Sequence, residues 1–195
     1  MVDPGELFGE GWCVTLASGT VPEVLERMGV VGASGVPGGL DLATERLMDG
    51  AEEGVLLLGH EVAEGLVMVV ELEGTTGWVG VDPLLLSALS SGGGTAVSAC
   101  EDPNGLTVHV ARDGSVLGWL DAVSGRHFGE GFGDVARDLA VVGFAEEEDG
   151  PLSGAAAEAD GAGRALLAMR ALTGAELETE DFSGPWTGGV TTTRP

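Results

Sequence analysis

Glu71 and His109 are the residues whose types best suit acid–base chemistry in this chain. Glu71 stands in Gly65–Leu72, Gly-Leu-Val-Met-Val-Val-Glu-Leu, an otherwise almost wholly apolar run. A carboxyl placed among apolar neighbours has its pKa raised and can serve as an acid or base, with a solvated carboxylate or an Arg partner as the plainer alternative. His109 lies in Leu106–Arg112, on the face opposite the apolar residues of that segment. The two form a working pair only if their strands share a face and bring both side chains within about 3 Å of a common reacting atom.

Three other patterns carry weaker chemistry. His60-Glu61-Val-Ala-Glu64 resembles the His-Glu-x-x-His helix of a zinc protease, but Glu64 replaces the second His. It also sits between two strand-like runs, so a polar hairpin turn fits better than a metal site. His127 opens a glycine-rich loop, Gly125–Gly133, of the kind that can cradle phosphate, yet the loop has no Lys and places Glu130 where an anion would sit. Cys13 and Cys100 share no metal-ligand spacing and read as buried thiols. No Ser or Cys has a nucleophile-elbow context. Catalytic residues, a metal and a cofactor are all unassigned. Trp78 follows a Gly/Thr loop and Trp186 lies near the C-terminal end, so either could anchor a partner or simply cover its own core.

The elements that must position these residues follow from periodicity. The Val-rich run Gly65–Leu72 reads as a strand buried on both faces. Trp12–Ala17, Val55–Gly59, Thr95–Cys100, Leu106–Arg112 and Ser115–Leu120 supply further strands. Asp113-Gly114 is a two-residue hairpin turn that pairs Arg112 with Ser115, setting Val110 against Leu117 and Val108 against Trp119 on the core face, with His109 across from Gly118. Thr20-Val-Pro-Glu23 is a capping box for a helix to Met28, and Asp82-Pro83 caps an apolar helix over Leu84–Leu89. Asp41–Met48, Asp134–Val142 and Ala155–Thr173 complete the helices, with a turn at Thr179–Phe182. Gly32–Gly39 and the residues after Pro185 read as irregular.

These readings define an α+β fold: an antiparallel sheet of about five to six strands, helices packed mainly on one face, and a C-terminal helical segment. The expected organisation is a core over residues 1–144, an acidic linker over 145–154 containing Glu146-Glu-Glu-Asp149, and a C-terminal helix with an irregular tail over 155–195.

Composition narrows the partners. The 195-residue chain has 32 Asp and Glu against eight basic residues, all Arg, for a formal charge of −24. Such a surface repels nucleic-acid backbones and anionic membranes and attracts a basic protein. The start of the chain lacks the basic and apolar regions of a signal peptide, so a cytoplasmic setting is expected. Absence of Ile, Lys and Tyr, with 35 Gly, reflects GC-rich codons rather than disorder. The leading functional expectation is a non-enzymatic interaction protein, of accessory or immunity type, that binds a basic partner. The alternatives are an enzyme or small-molecule binder near Glu71 and His109, and a DNA mimic.

Several short motifs in order also resemble a family of uncharacterised small acidic proteins from GC-rich actinobacteria. They include Trp12-Cys-Val-Thr before Pro22-Glu-Val-Leu-Glu-Arg-Met-Gly29, Val69-Val-Glu-Leu-Glu-Gly74, Thr95-Ala-Val-Ser98, the Asp113-Gly turn, Val142-Gly-Phe144 and Leu172-Thr-Gly174. The resemblance covers roughly residues 10–190 and departs from the pattern around His60 and in the Gly125–Gly133 loop. It implies an α+β fold and a cytoplasmic setting, and no activity.

Overall fold

The computed structural model describes residues 11–36, 54–72, 78–147 and 150–191, with Leu7 and Leu40 besides. The expected helix over Asp41–Met48 and part of the acidic linker lie outside the described residues.

Alternating or continuous apolar runs form the strands β1 (Trp12–Ser18), β3 (Val55–Ala63), β4 (Leu66–Leu72), β5 (Thr95–Asp102), β6 (Gly105–Arg112) and β7 (Ser115–Asp121). Three shorter or glycine-bearing segments add β2 (Ser34–Val36), β8 (His127–Phe128) and β9 (Trp186–Thr191). Among the described residues they make one nine-stranded sheet in the order β2-β9-β3-β4-β1-β5-β6-β7-β8. Every pairing is antiparallel.

The expectation of five to six strands is therefore wrong. The six strands inferred from apolar runs are present, and the missing three come from segments read as loop or tail. Glycines hide β9 in particular. A Cβ on Gly188 would stand 2.5 Å from the Leu57 carbonyl oxygen, so the close approach of β9 to β3 itself calls for a residue that weakens the strand signal.

Helices occupy both faces rather than mainly one. On one face, α1 (Val21–Arg27) and α2 (Pro83–Ser90) bury Val24, Leu25, Leu86 and Leu89 against Val67, Val69 and Ala96. On the other, α3 (Gly133–Ala140), α4 (Gly154–Glu158) and α5 (Gly161–Thr173) cover Trp12, Val14, Met68, Val70, Val108 and Val110. The reason lies in β4, where both alternating sets are apolar. Each such side chain gains about 1.5–3 kcal/mol from burial, so neither face can be left to water.

Local signals place the helix ends. Glu23 reaches back to the Thr20 N–H at 3.0 Å, and the Asp82 carboxylate accepts the Leu85 N–H at 2.8 Å. Asp160 caps α5 through the Gly163 N–H, which splits the expected Ala155–Thr173 helix in two, and Gly174 ends α5 in the left-handed region. The Leu84–Leu89 helix is less buried than its composition implies: Leu86 and Leu89 are inside, but Leu84 is 81% exposed.

The β6–β7 hairpin contains one surprise. Arg112 pairs with Ser115 as its turn dictates, but Ala111 pairs with Val116 and Val110 with Gly118. Leu117 is thus the extra residue of a bulge, and the register beyond it moves by one. Trp119 comes to face His109 instead of Val108, and leaves the core face for the face of His109.

Candidate functional site

The bulge and the register of the central strands gather a set of polar side chains on the α1–α2 face. One row runs Glu71 (β4), Cys13 (β1), Cys100 (β5), Thr107 (β6), each opposite the next. The adjacent row runs Val69, Thr15, Ser98, His109, Trp119, Phe128. The rows are bonded internally and to each other: Thr15 Oγ1 and Ser98 Oγ are 2.6 Å apart, Cys100 Sγ and Thr107 Oγ1 3.3 Å, and Thr107 Oγ1 and His109 Nε2 3.1 Å. A hydrogen-bonded polar band across a sheet face is a costly arrangement in an apolar setting unless its members satisfy one another, as these do.

Glu71 anchors one end. It is 1% exposed, and its carboxylate accepts the backbone N–H of Val79 at 2.7 Å and of Gly80 at 2.5 Å. Those donors belong to a single 3-10 turn, Val79–Val81, which the carboxylate holds down on the sheet. Burial raises the Glu71 pKa, and the bonds from Gly80, the Cys13 thiol and Val79 oppose the rise.

Cys13 and Cys100 come next, both buried and both free. Burial, then the Glu71 charge, pushes the Cys13 thiol well up; burial takes Cys100 to about 11. Trp78 is 6% exposed and packs on the two cysteines, with Val81 against the same cluster. Trp78 is therefore a cover over the thiols, held in place by the turn that Glu71 grips.

His109 marks the other end. It is half-buried, and burial lowers its pKa to about 4, which keeps the ring neutral. Its ring lies 6.3 Å from Trp119, and Trp119 stacks on Phe128 at 4.3 Å. The Arg126 guanidinium stands 5.5 Å from the centre of the Phe128 ring.

Glu71 and His109 thus share a face, but β1 and β5 lie between their strands. Three inter-strand spacings place them about 14 Å apart, too far for one reacting atom. They are ends of one polar band, not a catalytic pair.

The other sequence candidates fall elsewhere. His60 and Glu61 lie in β3, with the hairpin turn at Glu64-Gly65 beyond them, and His60 Nδ1 is 3.1 Å from the Pro185 carbonyl oxygen. His60 also meets the Trp186 ring edge-on at 5.7 Å, and Trp186 is 2% exposed. His127 stacks on Phe132 at 4.5 Å. Among the described residues no group of three or more His, Cys, Asp or Glu could hold a metal ion. Sequence reasoning missed the facing of Cys13 and Cys100, the Thr15–Ser98 bond and the role of Gly80. Each depends on pairing between strands distant in the chain, for which no local signal exists.

A nine-stranded antiparallel sheet with helices on both faces and a polar band under one pair of them defines the class as an α+β domain. The chain belongs to the family of unknown function DUF6461, whose family model matches residues 4–184. No curated protein and no solved structure matches the chain. No helix among the described residues is long and apolar enough to cross a membrane.

Proposed function

We propose that this protein is a non-enzymatic, cytoplasmic interaction protein that binds a basic protein partner through its acidic surface. The observation that carries the reading is the charge of −24, with 32 carboxylates against eight Arg. Carboxylates such as Glu176, Glu178 and Glu180 stand exposed within one short segment, and a field of that sign steers and orients a cationic partner. On this reading Glu71 and Trp78 act from beneath, holding the sheet face in shape, and half-buried His109 is the one of the three that a partner touches. The GC-rich composition extends the reading to the relatives, which we expect to be acidic proteins of actinobacteria.

The test is a tagged pull-down from native lysate at low and high salt, followed by titration with the purified partner. A stoichiometric basic partner lost at high salt supports the reading. Binding indifferent to salt, or no partner at either salt, counts against it. If the captured partner binds DNA and this protein displaces that DNA, the DNA-mimic version is the right one.

The continuity of the polar band favours a second reading, a small-molecule site near His109. A ligand screen read by the His109 ring resonances tests it: no perturbation by any ligand removes it.

A further inference from the structure

Cys13 and Cys100 face each other across β1 and β5, and both carry free thiols. Opposed residues in antiparallel strands have Cα atoms about 4.5–5.5 Å apart, inside the range a disulfide spans. Their Cβ atoms, at about 4.5–5.5 Å, stand at or just beyond the far end of that range. A bridge here must draw the two strands together, which makes it easy to reduce again. Trp78 lies directly on the pair, and the turn behind it is held by the Glu71 carboxylate, which also neighbours the Cys13 thiol. Two facing thiols, an adjacent proton acceptor and an aromatic cover occupy one spot.

We propose that Cys13 and Cys100 form a reversible oxidation site, in which a hydroperoxide converts the pair to an intramolecular disulfide and thereby displaces Trp78. Cys100, 4% exposed where Cys13 is fully buried, meets the oxidant first. Its sulfur attacks the terminal peroxide oxygen and the O–O bond breaks. The thiol proton leaves with the departing alkoxide as an alcohol (or as water, from hydrogen peroxide), and Cys100 becomes a sulfenic acid. The Cys13 sulfur then attacks the Cys100 sulfur, passing its proton to Glu71. The S–O bond breaks, and the leaving hydroxide takes that proton and departs as water. Two thiols and one hydroperoxide give one disulfide, one alcohol and one water. Because burial holds both thiols in their protonated form, the covered pair reacts slowly, and opening of the Trp78 segment sets the rate.

The experiment treats the reduced full-length chain with hydrogen peroxide under native conditions. Free thiols are counted after denaturation, intact mass is recorded and the crosslink is mapped by peptide analysis. The expected result is loss of both thiols, a mass lower by two hydrogens, a Cys13–Cys100 crosslink, and full reversal by dithiothreitol. Tryptophan emission shifts on oxidation in the wild type and not in Trp78→Phe. Cys13→Ala stops at a dimedone-reactive sulfenic acid on Cys100. Gly80→Ala, which disturbs the turn, speeds crosslinking several-fold without changing its position. The proposal is overturned if both thiols survive in the folded protein, if they proceed only to sulfinic acids, or if the disulfide joins two chains. A disulfide that leaves the Trp78 emission unchanged overturns the displacement.

Discussion

Gly80 gives its backbone N–H to the buried Glu71 carboxylate at 2.5 Å, and a Cβ on Gly80 would stand 2.7 Å from the same oxygen. The contact exists because position 80 has no side chain. That Cβ would also lie 2.3 Å from Thr15 Oγ1 and 3.0 Å from Ser98 Oγ, so the turn rests on three strands through a single bare Cα.

Gly80→Ala should accordingly lift the turn off the sheet. Overpacking of this kind costs about 1–3 kcal/mol, read as a fall in the urea midpoint with an unchanged slope. A midpoint equal to wild type would show that the turn has room to shift.

Glu71→Ala should cost more, because it leaves the Val79 and Gly80 N–H groups buried without an acceptor, at about 1–3 kcal/mol each. Glu71→Gln retains one oxygen and should fall between wild type and Ala. Its pH profile provides a separate check. Since the native pKa is raised, the folded state holds the proton more tightly than the unfolded chain. Stability from this group is complete below the ordinary carboxylate value of 4.5 and declines as pH rises through the native value. Denaturation curves of Glu71→Gln across that interval should lack this decline.

His109 titrates in the opposite sense. Its native pKa of about 4 lies below the ordinary 6.5, so the unfolded chain takes up the proton first as pH falls. Stability is unaffected above pH 6.5 and drops between 6.5 and about 4, by at most about 3 kcal/mol. His109→Gln should remove this drop. If the variant and the wild type lose stability in parallel over that window, the ring is not the group responsible.

Gly118→Ala should detach β8. Gly118 has φ 144°, and a Cβ there would lie only 2.0 Å from the Phe128 carbonyl oxygen. The expected sign is faster hydrogen exchange at 127–128 and a weaker Trp119–Phe128 stack, with β5 and β6 still protected. Unchanged exchange at those positions would refute it.

What could be read from the chain was local. Thr20 with Glu23, Asp82 with Pro83, and Asp113-Gly114 each specify geometry within four residues, and each is present. The Val-rich run at Glu71 is indeed a central strand. What escaped reading was non-local. Nothing near Cys13 announces that Cys100 will pair with it, since that register is set by the whole β1–β5 interface. The Leu117 bulge followed a correctly read turn and still moved Trp119 to the other face. The Gly188-Gly189 pair in β9 lowers strand propensity for a reason, the closeness of Leu57 to Gly188 and of Val30 to Gly189, that becomes visible only once the sheet is assembled.

The position of β9 also bears on how the molecule is made. Leu57 and Leu58 pair with Gly189 and Gly188, residues that leave the ribosome long after β3 does. During synthesis the β4-β1-β5-β6-β7 block can pair among itself, while Val55, Leu56, Leu57 and Leu58 present an unzipped apolar margin to solvent. A nascent chain paused before Trp186 has every central strand and still lacks its closing piece. Until then the β3 edge that β9 covers carries unpaired N–H and C=O groups, the kind of edge on which another strand can pair.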